Sequence, residues 1–354
     1  MNKRKINKLS QIILNTKINF DLLKYILNKT KALWLKLIKS NISVYPSCIM
    51  IELTNHCNLK CCTCPREYSY GKNMDLGMMP TEKAKQIINE TYPYLDSIGL
   101  TGLGETFLYP HLKEIASYVK SKKKSIITSL STNANIPNFI EKVQDVLPYI
   151  DTIQVSIDGL HETYEKIRIN ANFNPFYENI KTIVPLAKQH NVDIVFNMVI
   201  TKKNYAQMSD VIEFANKLGI KYIYLSYFNL SSVTDIGIEY YDFFYSDDFI
   251  KMVNKTNSVI KKYPNMEVLG LEKNDIAGFK NCKFPWSYFY ISWDGYVVPC
   301  CTKPFPKILN FGNVFNSRFI NIINSSAFQK FRKAWRTNKA PIFCNKCNIL
   351  HLHK

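Results

Sequence analysis

Between residues 1 and 45, Phe20, Leu23, Leu27, Trp34, Leu37 and Ile38 recur at helical spacing with lysines around them. That pattern predicts an amphipathic helical extension. Its apolar stripe has two natural destinations: the flank of the protein body, or the headgroup layer of a membrane, which suits basic, tryptophan-bearing faces. From residue 48 the period changes. Strand-like runs at 48–53, 97–100, 125–130, 152–157, 192–199 and 221–226 alternate with helical stretches near 81–92, 109–121, 137–147, 174–190 and 204–218. Six strands with helices between them predict an α/β architecture, a parallel sheet with right-handed crossovers. The span is too short for a closed eight-unit barrel of ~250 residues, so a partial (β/α)6 TIM-like barrel is expected over 46–230. Chemistry in such a sheet gathers at the carboxyl ends of the strands. Residues 231–280 read as an aromatic connecting segment with one helix near 246–263. A small C-terminal domain is expected over 281–354, opening on Trp286, Tyr288, Phe289, Tyr290 and Trp293, with an Asp294-Gly295 hairpin turn and a strand at 296–298.

Composition narrows the class. Hydrophobic residues at 46% and charged residues at 21% support a packed core and exclude a wholly disordered chain. No apolar run reaches the ~18 residues of a spanning helix. Ile12, Ile13 and Leu14 make too short a core for a secretory signal, which needs ~7–15 residues. A cytoplasmic protein is therefore expected, with peripheral attachment to the inner face of an anionic membrane as the alternative. The net charge is +18, and residues 1–40 hold ten Lys/Arg against one acid, Asp21, which places +9 there. No nucleic-acid reader motif accompanies the charge, so nucleic acid is not an expected partner.

The ten cysteines change the picture most. They fall at 48, 57, 61, 62 and 64, then at 282, 300, 301, 344 and 347. Two tight groups in a long chain point to metal or iron–sulfur ligation, not to a disulfide scaffold. Cys57, Cys61 and Cys64 have the spacing C-x3-C-x2-C. Three thiolates on one loop can hold three irons of a cubane and leave the fourth open to a ligand. A structural zinc knuckle is the competing reading. Cys62 wraps less well and is read as a spare.

This loop, at the end of the first strand of a partial barrel, resembles the radical S-adenosylmethionine (radical SAM) superfamily, and the resemblance runs over residues 48–227. Gly102-Leu103-Gly104-Glu105-Thr106 is similar to the family's Gly-Gly-Glu-Pro segment. The resemblance implies that Gly104 and Glu105 meet the amino group of the methionine moiety, although Leu103 and Thr106 depart from the pattern. Ser131-Thr132-Asn133-Ala134 resembles the Ser-Thr-Asn-Gly turn beside the cofactor, which brings in Asn133. Ser156-Ile157-Asp158-Gly159 is similar to the family's Ser-x-Asp-Gly segment. By that resemblance Ser156 and Arg168 bind the cofactor's carboxylate, a role that suits a bidentate guanidinium. Asn197 is a candidate for the ribose. Thr63 stands where the family often has a larger apolar residue against adenine. No catalytic base is identified.

Gly295, Cys300, Gly312-Asn313 and Cys344-x2-Cys347, preceded by Cys282, resemble the SPASM domain in its shortened twitch form. The resemblance implies one auxiliary [4Fe-4S] cluster held by Cys282, Cys300, Cys344 and Cys347, hence two clusters in all. Cys301 is the alternative to Cys300, and a zinc ribbon with the same four ligands is the competing reading. His351 and His353 are read as solvated. The implied function is a radical SAM oxidoreductase. It would cleave S-adenosylmethionine to a 5′-deoxyadenosyl radical, with an external electron donor such as flavodoxin or ferredoxin. A hydrogen would be taken from a small molecule, a sugar or cyclitol alcohol being favoured, and the auxiliary cluster would accept the second electron. The alternative is a ribosomal-peptide maturase; the 45-residue extension is shorter than the ~80-residue leader-binding domain such enzymes often carry. A non-catalytic, metal-bearing nucleic-acid-binding protein is a third reading. Gly104-Glu105 and Ser156…Arg168 argue against it.

Overall fold

In the computed structural model, residues 20–271, Cys282, 284–337, Lys339 and 341–352 are described. Residues 1–19 of the basic extension and His353 lie outside the described residues. The extension contributes helix α1 (Phe20–Leu37). Strands β1 (Cys48–Ile51), β2 (Ser97–Gly99), β3 (Ile127–Thr132), β4 (Thr152–Ser156), β5 (Asp193–Ile200) and β6 (Tyr222–Tyr227) then pair in chain order, all parallel. Between them run α2 (Thr81–Thr91), α3 (Leu112–Lys122), α4 (Phe139–Val146), α5 (His161–Ile167), α6 (Phe173–Gln189) and α7 (Met208–Lys217). This is the partial barrel, and its elements fall within a few residues of the expected ones.

The strands alternate in a way that positions the site. Along β5, Ile194, Phe196, Met198 and Ile200 are buried, while Asp193, Val195, Asn197 and Val199 are only half so. β3 buries Thr128, Leu130 and Thr132 and leaves Ser129 and Ser131 on the other face. Because side chains alternate faces with period two, one face of the sheet carries the apolar residues of the core. The opposite face is rich in serine and asparagine. The register pairs Ser156 with Asn197 and Asn197 with Tyr224, so the polar positions of adjacent strands lie side by side.

The sheet continues past the six strands. β7 (Glu267–Leu269), after helix α8 (Asp247–Ile260), joins β6 in parallel. At the other edge β8 (Tyr288–Ile291) runs parallel to β1, with Cys48 opposite Tyr288 and Ile51 opposite Ile291, and β9 (Val297–Val298) closes the hairpin antiparallel to β8. The order is β9-β8-β1-β2-β3-β4-β5-β6-β7. The C-terminal hairpin is thus hydrogen-bonded into the barrel's own sheet, and its aromatic run is explained by burial: Phe289, Tyr290 and Ile291 are all core residues. Helices α9 (Phe319–Ile323) and α10 (Ser326–Arg336) cover this end. Arg332 of α10 is fully buried, donates to the carbonyls of Pro285, Asn41 and Ile323, and lies over the Phe328 ring.

Helix α1 overturns the simpler of the two expectations for its stripe. Phe20, Leu23, Leu27, Trp34, Leu37 and Ile38 do not pack on the barrel's flank; all six are exposed, Phe20 at 73% and Leu37 at 79%. The helix docks by its polar side instead. Tyr25 and Lys29 donate to the two carboxylate oxygens of Asp96 at 2.6 and 2.7 Å, Tyr92 donates to Asp21 at 2.8 Å, and Asn28 exchanges hydrogen bonds with the backbone of Tyr45. Among helical residues with a described side chain, only Leu35 is buried.

Candidate functional site

The first cysteine loop is clamped by the segment after α5. Lys60–Cys61 pairs antiparallel with Arg168–Ile169, Cys62 donates its N–H to Ile167 at 2.8 Å, and Cys64 donates to Cys61 at 2.9 Å. The tight wrap turns Cys57, Cys61 and Cys64 into a cavity of about 410 Å3 at the carboxyl ends of the strands. Gly104, Glu105, Asn133, Ser156, Arg168 and Asn197 line the same cavity, so the structure brings every sequence-derived residue of this site together. Cys62 is turned aside, its sulfur 4.0 Å from Lys203.

The lining is held by a dense polar network. Glu105 is buried and fully engaged: Thr132 and the Phe107 N–H donate to one oxygen, the Asn133 N–H to the other at 2.7 Å. It thereby ties the loop after β2 to the loop after β3, and burial pushes its pKa up despite those donors. Gly104 is needed for close approach, since a Cβ there would meet the carbonyl oxygens of Thr54 and His56 at 2.5 and 2.6 Å. The Asn133 amide reaches Asn58 at 2.9 Å and the Cys57 sulfur at 3.9 Å. Asn197 accepts from Ser226 at 3.1 Å.

Arg168 is buried, pairs with Asp158 at 2.8 Å and donates to the Cys61 sulfur at 3.8 Å. Asp158 also accepts from the Val199 N–H and from Thr63. Arg66 was missed in the sequence, although it directly follows Cys64-Pro65. Its charge acts on both Cys57 and Cys64. Burial pushes the thiols up, Cys61 to about 12 and Cys64 to about 11, with Arg168 and Arg66 pulling the other way. Ligation therefore has to displace protons.

These residues fit an iron–sulfur cluster. Arg66 Nε and Nη1 and Arg168 Nε are buried without a hydrogen-bond partner. Buried guanidinium groups left unpaired are costly. An anionic cluster on the three thiolates would supply the missing charge and acceptors. Among the described residues no three His, Cys, Asp or Glu side chains converge on a single ion, whereas a cubane's thiolates reach separate irons.

The second group assembles from distant segments. Cys282, Cys300, Cys344 and Cys347 line a neighbouring cavity of about 470 Å3. Burial pushes Cys282 to about 12 and Cys347 to about 11, with Cys300 adding to both. Cys344 rises by burial and by its neighbours Cys347, Cys300 and Cys282. Cys301 lines the same cavity and hydrogen-bonds to Cys300, holding the Cys300 thiol low. The two cavities share Ser226, Tyr227, Asn229, Cys301 and Thr302.

Glu52, also missed, joins both regions. It sits just past β1 and is wholly buried. The Leu103 N–H donates to it at 2.8 Å, Tyr290 of β8 donates its hydroxyl, and the Trp293 N–H donates at 3.3 Å.

Residues 51–215 match the family described as the Radical SAM superfamily, and residues 282–348 match the SPASM iron–sulfur cluster-binding domain. The chain belongs to the radical SAM superfamily and carries a SPASM domain. Its cofactors are [4Fe-4S] clusters and S-adenosylmethionine. The SPASM match begins on Cys282 and includes Cys300, Cys344 and Cys347. Among curated proteins, the chain is 26% identical over 315 residues to the antilisterial bacteriocin subtilosin biosynthesis protein AlbA of Bacillus subtilis, covering 87% of this chain and 65% of AlbA. It is 24% identical over 322 residues to the tungsten-containing aldehyde ferredoxin oxidoreductase cofactor-modifying protein of Pyrococcus furiosus, covering 85% of this chain and 87% of that one. Among solved structures, Streptococcus suis SuiB bound to precursor peptide SuiA superposes with a TM-score of 0.67 at 17% identity, covering 99% of this chain and 82% of SuiB. That likeness is one of fold. As a radical SAM enzyme the chain has the expected partial barrel, and Cys57, Cys61 and Cys64 lie within its radical SAM match, while Cys301 and Thr302 of the SPASM match also line their cavity.

Proposed function

We propose that this radical SAM enzyme matures a peptide. The observation that carries the reading is the 315-residue likeness to AlbA, a bacteriocin biosynthesis protein, which runs through both domains. It favours the peptide alternative over the sugar or cyclitol alcohol expected from the sequence. The match covers 65% of AlbA, so the substrate is proposed for this chain on its own terms.

Cys57, Cys61 and Cys64 would hold a cluster beside bound S-adenosylmethionine, and the two together would supply radical hydrogen-atom abstraction from the substrate. The chain's residues orient and shield. Glu105 and Asn133 fix the loops over the cavity, Ser156 and Arg168 would meet the cofactor's carboxylate, and Asn197 would face its ribose. Cys282, Cys300, Cys344 and Cys347 would hold one auxiliary cluster. Four thiolates close it, which suits electron transfer. The shared wall of the two cavities puts Tyr227 and Asn229 between the sites, where a peptide side chain would lie.

The test uses anaerobically reconstituted full-length protein with a reductant, S-adenosylmethionine and short peptides encoded beside its gene. Peptide-stimulated 5′-deoxyadenosine with a two-hydrogen mass loss in the peptide supports the reading. Stimulation by sugars or cyclitols, with none by peptide, overturns it.

A further inference from the structure

We infer that α1 is an interfacial helix that seats this protein on an anionic phospholipid surface. The contacts of α1 with the body are polar and specific: Asp21, Tyr25, Asn28 and Lys29 all bond residues outside the helix. The side turned away is apolar. To the six exposed stripe residues the structure adds Ile26 and Leu33, at 48% and 64% exposure. At 3.6 residues per turn these eight positions fall within an arc of about 140°. A surface helix on a globular protein normally faces the other way, with its apolar arc inward.

The charges flanking that arc identify the occupant. On the same wheel Lys24 and Lys31 border one edge of the apolar face, and Lys29 and Lys36 the other. Lys24 and Lys29 are held by Asp21 and Asp96, while Lys31 and Lys36 are exposed and in no ion pair among the described residues. Lysines on both borders of an apolar arc can keep their heads at lipid phosphates while their stems cover the acyl boundary. Trp34, 56% exposed within the arc, suits the headgroup level. The sequence before the helix adds Lys3, Arg4, Lys5, Lys8 and Lys17 and no acid. A protein partner for such a face would have to supply an apolar groove with two acidic rims; an anionic bilayer offers both features over its whole surface. No helix among the described residues is long and apolar enough to cross a membrane, so the attachment is in plane.

The experiment is flotation of the cluster-loaded full-length protein with phosphatidylglycerol/phosphatidylcholine vesicles and with phosphatidylcholine alone. Binding to the anionic vesicles at low salt, weakened by added salt, is expected. The double variant Leu27→Glu/Trp34→Glu should partition at least tenfold less, with an unchanged melting temperature. Lys31→Glu/Lys36→Glu, which spares the apolar face, should lose binding to anionic vesicles several-fold. No flotation of the native protein, or flotation undiminished in the Leu27/Trp34 variant, overturns the proposal. So does concentration-dependent self-association in sedimentation that the Leu27/Trp34 variant abolishes, because a second copy would then be the occupant.

Discussion

The two cysteine groups reach their cavities by opposite routes. Cys57, Cys61 and Cys64 come from one loop whose shape is fixed locally, by its own turn and by pairing with Arg168–Ile169. Cys282, Cys300, Cys344 and Cys347 come from three separate stretches that meet only because β8 has joined the barrel's sheet and α10 has covered the hairpin. A site made by one loop can be read from spacing, and three donors leave an iron open. A site made by tertiary assembly brings its four thiols to one cavity only in the folded chain.

The largest effects should separate the groups by function. Replacing Cys57, Cys61 and Cys64 by Ala should remove half of about eight irons and abolish S-adenosylmethionine cleavage. Cys344→Ala/Cys347→Ala should also remove half the iron yet leave 5′-deoxyadenosine formation by the uncoupled reaction. Iron analysis and product assay read both outcomes. If the second variant also stops cleavage, the division of labour fails; zinc at the C-terminal site would remove the auxiliary cluster altogether.

A finer division lies within one dipeptide. Both thiols line the second cavity, but Cys300 acts on Cys282, Cys344 and Cys347, whereas Cys301 is among the main influences on none of the three. Cys300→Ala should therefore lose the auxiliary cluster's iron and Cys301→Ala should keep it, as read by iron content and by the electron paramagnetic resonance of the reduced protein. Equal loss in both would mean the two thiols exchange places around the metal.

Glu52 couples the halves that the cysteines keep apart. Burial raises its carboxyl from 4.5 to about 7, against donors from Tyr290, Leu103 and Trp293. Below about pH 4.5 the group is protonated whether the chain is folded or not, and its contribution is fully present. As the pH rises towards 7 the unfolded chain releases the proton first, so stability falls; above 7 the loss is constant. The shift corresponds to about 3 kcal/mol. Glu52→Gln should remove that slope, measured as the difference in unfolding free energy between variant and native protein across this pH window. A native profile parallel to the variant's would place the Glu52 proton elsewhere.

What was legible follows the same divide. The barrel strands announced themselves by alternation, because one face is buried in apolar side chains and the other lines a cavity with Ser131, Ser156, Asn197 and Ser226. The first loop's cysteines and the cofactor segments carry local spacing and were found. Glu52 and Arg66 were not, because their roles depend on a partner distant in sequence or on a charge buried by the fold: Tyr290 for Glu52, and the enclosed thiols for Arg66. The stripe of α1 was visible, but its direction was not. Periodicity shows that a helix has an apolar face; only the contacts of Tyr25, Asn28 and Lys29 show that the opposite face is the docked one.

The smallest effect probes the first site's own wall. Arg168 is expected to meet the cofactor's carboxylate, yet two of its nitrogens already serve Asp158 and the Cys61 sulfur, and Nε is the one without a partner. Arg168→Ala should weaken S-adenosylmethionine binding by about 2–3 kcal/mol, the scale of a charge-assisted contact left unpaired, or roughly 30- to 150-fold in dissociation constant. Asp158→Asn removes the competing charge and keeps one acceptor oxygen, enough for the guanidinium or the Val199 N–H but not both, so its effect on S-adenosylmethionine binding should be smaller, about 1 kcal/mol or less. Equilibrium binding to the cluster-loaded variants distinguishes the two. If Asp158→Asn weakens binding as much as Arg168→Ala, the pair acts as one unit that shapes the cavity. The guanidinium would then be a strut beneath the cofactor and not its direct contact.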